Sequence, residues 1–187
     1  MPRLPILLPL ILFGPAWGES LNFSLQDSTG ATHTATDLAR QRATVFIFVA
    51  TDCPNSNTYA PVLARLYRQY SPRGVAFFDV YSDPAETPAS VQKHDTGFQV
   101  PFAALLDPHQ TLARETGARS TPEVVIIGPK GQEFYRGRID NRFVEPGKTR
   151  YQPTGNDLEE ALDAILAGKA PPHAVTRTIG CAIPGIN

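Results

Sequence analysis

At 187 residues and 20.4 kDa the chain has room for one domain with a tail. Its 42% apolar and 19% charged residues support a core and exclude an intrinsically disordered chain. With 17 Lys+Arg against 18 Asp+Glu, net -1, it has no basic excess for nucleic acid or an anionic membrane surface.

The N-terminus reads as a secretory signal peptide. Arg3 precedes an apolar stretch over residues 4–13, Ala16-Trp17-Gly18 puts small residues at the -3 and -1 places of a cleavage site, and Glu19 turns polar. The stretch is about half of what a bilayer-spanning helix needs and contains Pro5 and Pro9. Residues 1–18 are therefore expected to be removed, leaving an exported chain with no membrane attachment. Its cysteines would then work in the oxidising periplasm or outside the cell.

Residues 23–25 alternate as a short strand before an Asp-Ser-Thr-Gly turn. Residues 44–50 form a β-branched and aromatic run, apolar on both faces as a central parallel strand should be. After Cys53-Pro54, the positions Tyr59, Val62, Leu63, Leu66, Tyr67 and Tyr70 recur at helical spacing, and Pro72 and Gly74 close the helix. A strand over 75–81, a helix over 86–96, a strand over 102–106 and a short helix over 109–116 follow. Residues 123–127 and 133–139 pair as a hairpin across Pro129-Lys130-Gly131, and 142–155 reads as a loop. A helix capped at Asn156 or Asp157 ends at Gly168, and 169–187 is expected to be an irregular tail carrying Cys181. The order is α/β, a parallel part followed by an antiparallel hairpin, with one domain over 19–168.

Cys53 stands where the first core strand hands over to a helix, at the sheet edge where open α/β folds place ligands. A helix N-terminus offers free N–H groups and the positive end of a dipole, both of which favour a thiolate. Thr51, Asp52, Asn55, Ser56 and Asn57 surround it, which a buried packing cysteine would not need. Asp52 opposes the thiolate if ionised. With only two cysteines, the chain is neither a disulfide-dense scaffold nor a four-cysteine zinc module. Two readings of Cys181 stay open: half of a structural bridge to Cys53, or a resolving thiol on a mobile tail.

Phe48-Val49-Ala50-Thr51-Asp52-Cys53-Pro54-Asn55-Ser56 resembles the active-site segment of the thioredoxin fold, and Thr121-Pro122-Glu123 resembles its cis-proline turn. The resemblance spans roughly residues 20–168. It implies an α/β thioredoxin-like fold with a central mixed sheet flanked by helices on both faces. It also implies that Thr121 and Pro122 face Cys53 and bind the extended backbone of a substrate. Ser56 stands in the place of the family's second cysteine, so the loop cannot close its own disulfide. The resolving thiol must come from Cys181, a partner or a small thiol, while Ser56 is suited to hydrogen-bond a thiolate or substrate.

More narrowly, the chain is similar to exported bacterial redoxin-domain proteins of AhpC/TSA type. It shares their Cys-Pro helix start, their Thr-Pro-Glu turn, a stretch like Tyr135-Arg136-Gly137-Arg138-Ile139-Asp140 and a late Gly180-Cys181. The function implied is thiol–disulfide exchange through Cys53 and Cys181, with a protein or small-molecule thiol or disulfide as partner. It needs no cofactor and no metal.

Three other readings compete. A thiol peroxidase of the peroxiredoxin kind would place Pro and Thr where Phe46 and Ala50 stand. A copper-handling protein would need His173 to join both cysteines. A binding module on the same fold would keep the cysteines as structural residues.

Overall fold

A computed structural model describes residues 21–186, and the expected signal peptide lies outside them. A hairpin of β1 (Ser24–Asp27) and β2 (Thr32–Thr34) leads into the one-turn helix α1 (Ala35–Leu38). Next come β3 (Ala43–Val49), α2 (Pro54–Tyr70), β4 (Val75–Tyr81), α3 (Pro88–Phe98), β5 (Ala103–Leu106) and α4 (Thr111–Thr116). The short β6 (Ser120–Thr121) precedes β7 (Glu123–Ile127) and β8 (Glu133–Gly137). A small hairpin, β9 (Phe143–Glu145) and β10 (Lys148–Thr149), precedes α5 (Asp157–Leu166), and β11 (Cys181–Ala182) lies in the tail.

Seven strands form one mixed sheet in the order β2-β1-β5-β4-β3-β7-β8. β3, β4 and β5 run parallel, while β7 and β8 return antiparallel on one side and β1 and β2 on the other. β3 is buried along its whole length because both of its faces are covered. Val45, Ile47 and Val49 pack under α2 and α5, against Leu63, Leu66, Tyr70, Leu158 and Leu162. Phe46 and Phe48 point the other way, towards Leu38, Leu112, Ala113 and Ile183.

Four expectations need correction. The first strand is Ser24–Asp27, set back from 23–25, because the Asp27 carboxylate closes the turn by accepting from the Thr29 and Ala31 amides. β2 and α1 were not expected, since three polar residues and a single turn carry little periodic signal. Residues 142–155 contain the β9–β10 hairpin despite their Pro, Gly and charge.

The tail is the fourth correction, because it is an ordered arm. Its residues 174–176 run alongside β8, with Arg136 N donating to Ala174 O (2.9 Å) and Thr176 N to Arg136 O (3.0 Å). β11 then pairs with β6. Ile183, 2% exposed, plugs into the second core, which accounts for its order in a stretch rich in proline.

Candidate active site

β3 ends inside the core, and the chain turns at Thr51-Asp52 to start α2, with Cys53 as the N-cap residue and Pro54 in the first turn. Proline fits there because that position has no intrahelical N–H bond to lose. Cys53 is completely buried. Its Sγ lies 2.7 Å from Cys181 Sγ and 3.2 Å from the carbonyl oxygen of Thr121. Both cysteines are thiols in this structure.

Burial alone pushes the Cys53 thiol up. Hydrogen bonds from the Cys181 thiol, from Thr121 and from the Ser56 amide and hydroxyl outweigh it and bring the thiol down to about 7. The Ser56 and Thr121 hydroxyls are both buried and have no hydrogen-bond partner of their own, which leaves them free to turn towards the sulfur. Cys181 moves the opposite way, up to about 11, through burial, its hydrogen bond to Cys53 and the negative charges of Cys53 and Asp52. The arrangement thus favours ionisation at Cys53, beside a Cys181 that keeps its proton. Asp52, expected to oppose the Cys53 thiolate, acts on Cys181 instead.

Cys53, Cys181, Thr121, Pro122 and Ser56 all meet here. The Thr121–Pro122 peptide is cis. The backbone edge of Thr121, expected to clamp a substrate strand, is taken by the chain's own tail: Cys181 pairs with Thr121 and Ala182 with Ser120. Ser120 Oγ meets Thr178 Oγ1 at 2.7 Å, Asn55 Nδ2 donates to Ile179 O (3.2 Å), Ile183 N to Arg119 O (3.0 Å), and Gln110 Nε2 to Pro184 O.

Two glycines permit this docking. At Gly180 a Cβ would stand 2.0 Å from Thr121 O; at Gly137 (φ +150°) it would stand 2.1 Å from Thr176 Oγ1. Tyr135 and the Arg138 amide also hold Thr176 Oγ1, at 2.7 and 3.0 Å. The Tyr135-Arg136-Gly137-Arg138 and Gly180-Cys181 motifs are therefore two halves of one dock.

The sequence reading missed the layer beneath. Asp79 of β4, 3% exposed, borders a small cavity with Ser56, Ala60 and His94, and its Oδ1 has no hydrogen-bond partner. Burial and the nearby Asp95 charge push its carboxyl well above the usual carboxylate range. His94 bridges Asn57 Oδ1 and Tyr81 OH, each at 2.8 Å, and Asn57 Nδ2 donates to Thr51 O (3.3 Å). The available signal was a lone carboxylate inside the apolar run 75–81.

Among the described residues no three His, Cys, Asp or Glu side chains are grouped to hold a metal ion, so Cys53, Cys181 and His173 do not form the cluster a copper site requires. No described helix is long and apolar enough to cross a membrane.

Comparison with known proteins agrees with this picture. An uncharacterized conserved protein from Geobacillus kaustophilus is 29% identical with a TM-score of 0.79, over 89% of this chain and 90% of that one. A hypothetical protein from Sinorhizobium meliloti is 28% identical with a TM-score of 0.76, over 87% and 90%. A secreted Mycobacterium tuberculosis disulfide oxidoreductase homologous to E. coli DsbE shares the thioredoxin-like fold at 18% identity and a TM-score of 0.55, over 79% and 96%. A search of curated proteins found no match. The AhpC/TSA family model matches residues 18–132, more than half of a chain whose sheet, helix start and cysteine site are those just described, and the chain belongs to that family.

Proposed function

We propose that the protein is a thiol–disulfide oxidoreductase that cycles between a Cys53/Cys181 dithiol and a Cys53–Cys181 disulfide. The observation that carries this reading is the 2.7 Å separation of two sulfurs 128 positions apart in sequence. A disulfide bond is about 2.05 Å long, so the docked tail needs little movement to close it. The hydrogen bonds at Cys53 supply the thiolate that such exchange requires.

In this reading a disulfide of a protein or small molecule accepts two electrons from the pair and leaves as two thiols. The Cys53 thiolate attacks one sulfur of the partner disulfide and releases the other as a thiolate; Cys181, losing its proton, then attacks Cys53 Sγ, expels the second partner sulfur as a thiolate and closes the internal bond. Ser56 stabilises the thiolate by hydrogen bonding, and Thr121 and Pro122 seat Cys181 against it. Thus the missing second cysteine of the loop is replaced by one on the tail.

The family also suggests peroxide reduction, but Phe46 and Ala50 stand where that chemistry has Pro and Thr. The N-terminal pattern supports a cell-envelope setting for the exchange. Intact mass of the envelope form should then begin at Glu19, and a chain retaining Met1 overturns export.

The test of function is turnover of a model disulfide by the reduced protein. Cys53→Ser is expected to abolish it, and Cys181→Ala to stall at the first mixed disulfide. Full turnover by Cys53→Ser overturns the proposal.

A further inference from the structure

The two cysteines of the pair differ in what solvent can reach. Cys53 has no exposed surface: Thr121 and the docked tail cover it. Cys181 is exposed, on the outer strand of the two-residue β11–β6 ladder. The tail holding this cover is fixed on both sides of Cys181, by Asn55 and Ser120 before it and by Arg119, Gln110 and the Ile183 plug after it. None of these tail hydrogen bonds involves either sulfur.

Building on the exchange function above, we propose that reducing equivalents enter the oxidised protein at Cys181: an external thiolate attacks the sulfur of this exposed residue, and Cys53 departs as the buried thiolate. In the first step R–S⁻ forms a bond to Cys181 Sγ, the Cys53–Cys181 bond breaks, and its electron pair stays on Cys53. In the second step another thiolate of the reductant attacks the R sulfur, giving the reductant's disulfide and freeing Cys181, which takes up a proton. Two electrons have moved, and the reductant is a dithiol or two small thiols.

This assignment is the reverse of what the sequence position of Cys53 suggests. A thiolate attacking Cys53 would have to displace the tail from Thr121 first. The leaving groups point the same way. Expelling Cys53 yields a thiolate that Thr121 and Ser56 stabilise, whereas expelling Cys181 yields one that the Asp52 charge disfavours. Thr121 and Pro122 accordingly present Cys181 to the partner and do not receive the partner's backbone.

The test uses the full mature chain, oxidised with diamide and then exposed briefly to limiting reduced glutathione. After acid quenching and alkylation, peptide mapping locates the glutathione. The expected result is glutathione on Cys181 and alkyl on Cys53, in more than about tenfold excess over the opposite pattern. Equal or greater adduct on Cys53 overturns the inference while leaving the exchange function intact. Oxidised protein with no Cys53–Cys181 bond overturns the exchange function and the inference with it. Gly180→Ala, which forces the tail away from Thr121, is expected to raise the share of adduct on Cys53. An unchanged share contradicts shielding by the tail.

Discussion

Cys53 and Cys181 are chemically the same side chain with opposite acidities, and the difference lies in their neighbours. Cys53 receives hydrogen bonds at its sulfur, while Cys181 gives one and faces the charge of Asp52. An acid whose folded value is lowered adds stability above its unfolded value and loses it as pH falls through the folded value. Cys53 therefore favours the folded state above the ordinary thiol value of about 8.5, and this contribution disappears as pH falls through about 7. Cys181→Ala removes the hydrogen bond that contributes most to this lowering. The thiolate absorbance of Cys53 should then titrate at higher pH than in the wild type, and an unchanged midpoint would show that Cys181 does not hold the thiolate.

Asp79 works in the other direction. Its carboxyl is pushed well up in the fold but ionises above about pH 4 in the unfolded chain, so its cost grows as pH rises from there. Asp79→Asn should gain melting temperature relative to wild type between about pH 4 and pH 7. A difference that stays flat across that range would contradict the upward shift of the buried carboxyl. The reactive position of Cys53 was legible in the sequence because strand, cysteine, proline and helix are contiguous. Cys181 was legible as a candidate partner only through the parity of two cysteines and the Gly180-Cys181 likeness, because no local pattern encodes a contact across 128 positions.

At the scale of elements, β3, β4, β7, α2 and α5 were readable because each carries a full apolar period. The β9–β10 hairpin was not, because strands of three and two residues carry no period, and the tail was not, because its order comes from partners elsewhere. Residues 174–176 borrow the edge of β8, and 181–182 borrow β6. Gly180 is the element-scale key, since any side chain there meets the Thr121 carbonyl. Gly180→Ala should therefore slow diamide-driven disulfide closure by about tenfold or more, since orientation of a reacting pair can contribute factors well beyond that. Thiol counting over time measures it, and closure at the wild-type rate would show that the β11–β6 dock does not position Cys181.

As a whole, the molecule is a thioredoxin-like domain whose ligand edge is filled by its own C-terminal segment. The resemblance to redoxins implied the fold and the meeting of Cys53 with the Thr121-Pro122 turn. That the turn receives the tail could not be read from Gly180-Cys181 alone. Nothing in those two residues names their partner strand, and the close approach appears only when the chain is folded. The account rests on Cys53 and Cys181 being a reversible intramolecular pair. Mass mapping of the full mature chain after mild oxidation tests this most directly. The account predicts a loss of two hydrogens and a single cross-linked peptide joining Cys53 to Cys181, fully restored by a dithiol. Two free, alkylatable thiols after oxidation, or a bond only between separate chains, would contradict it.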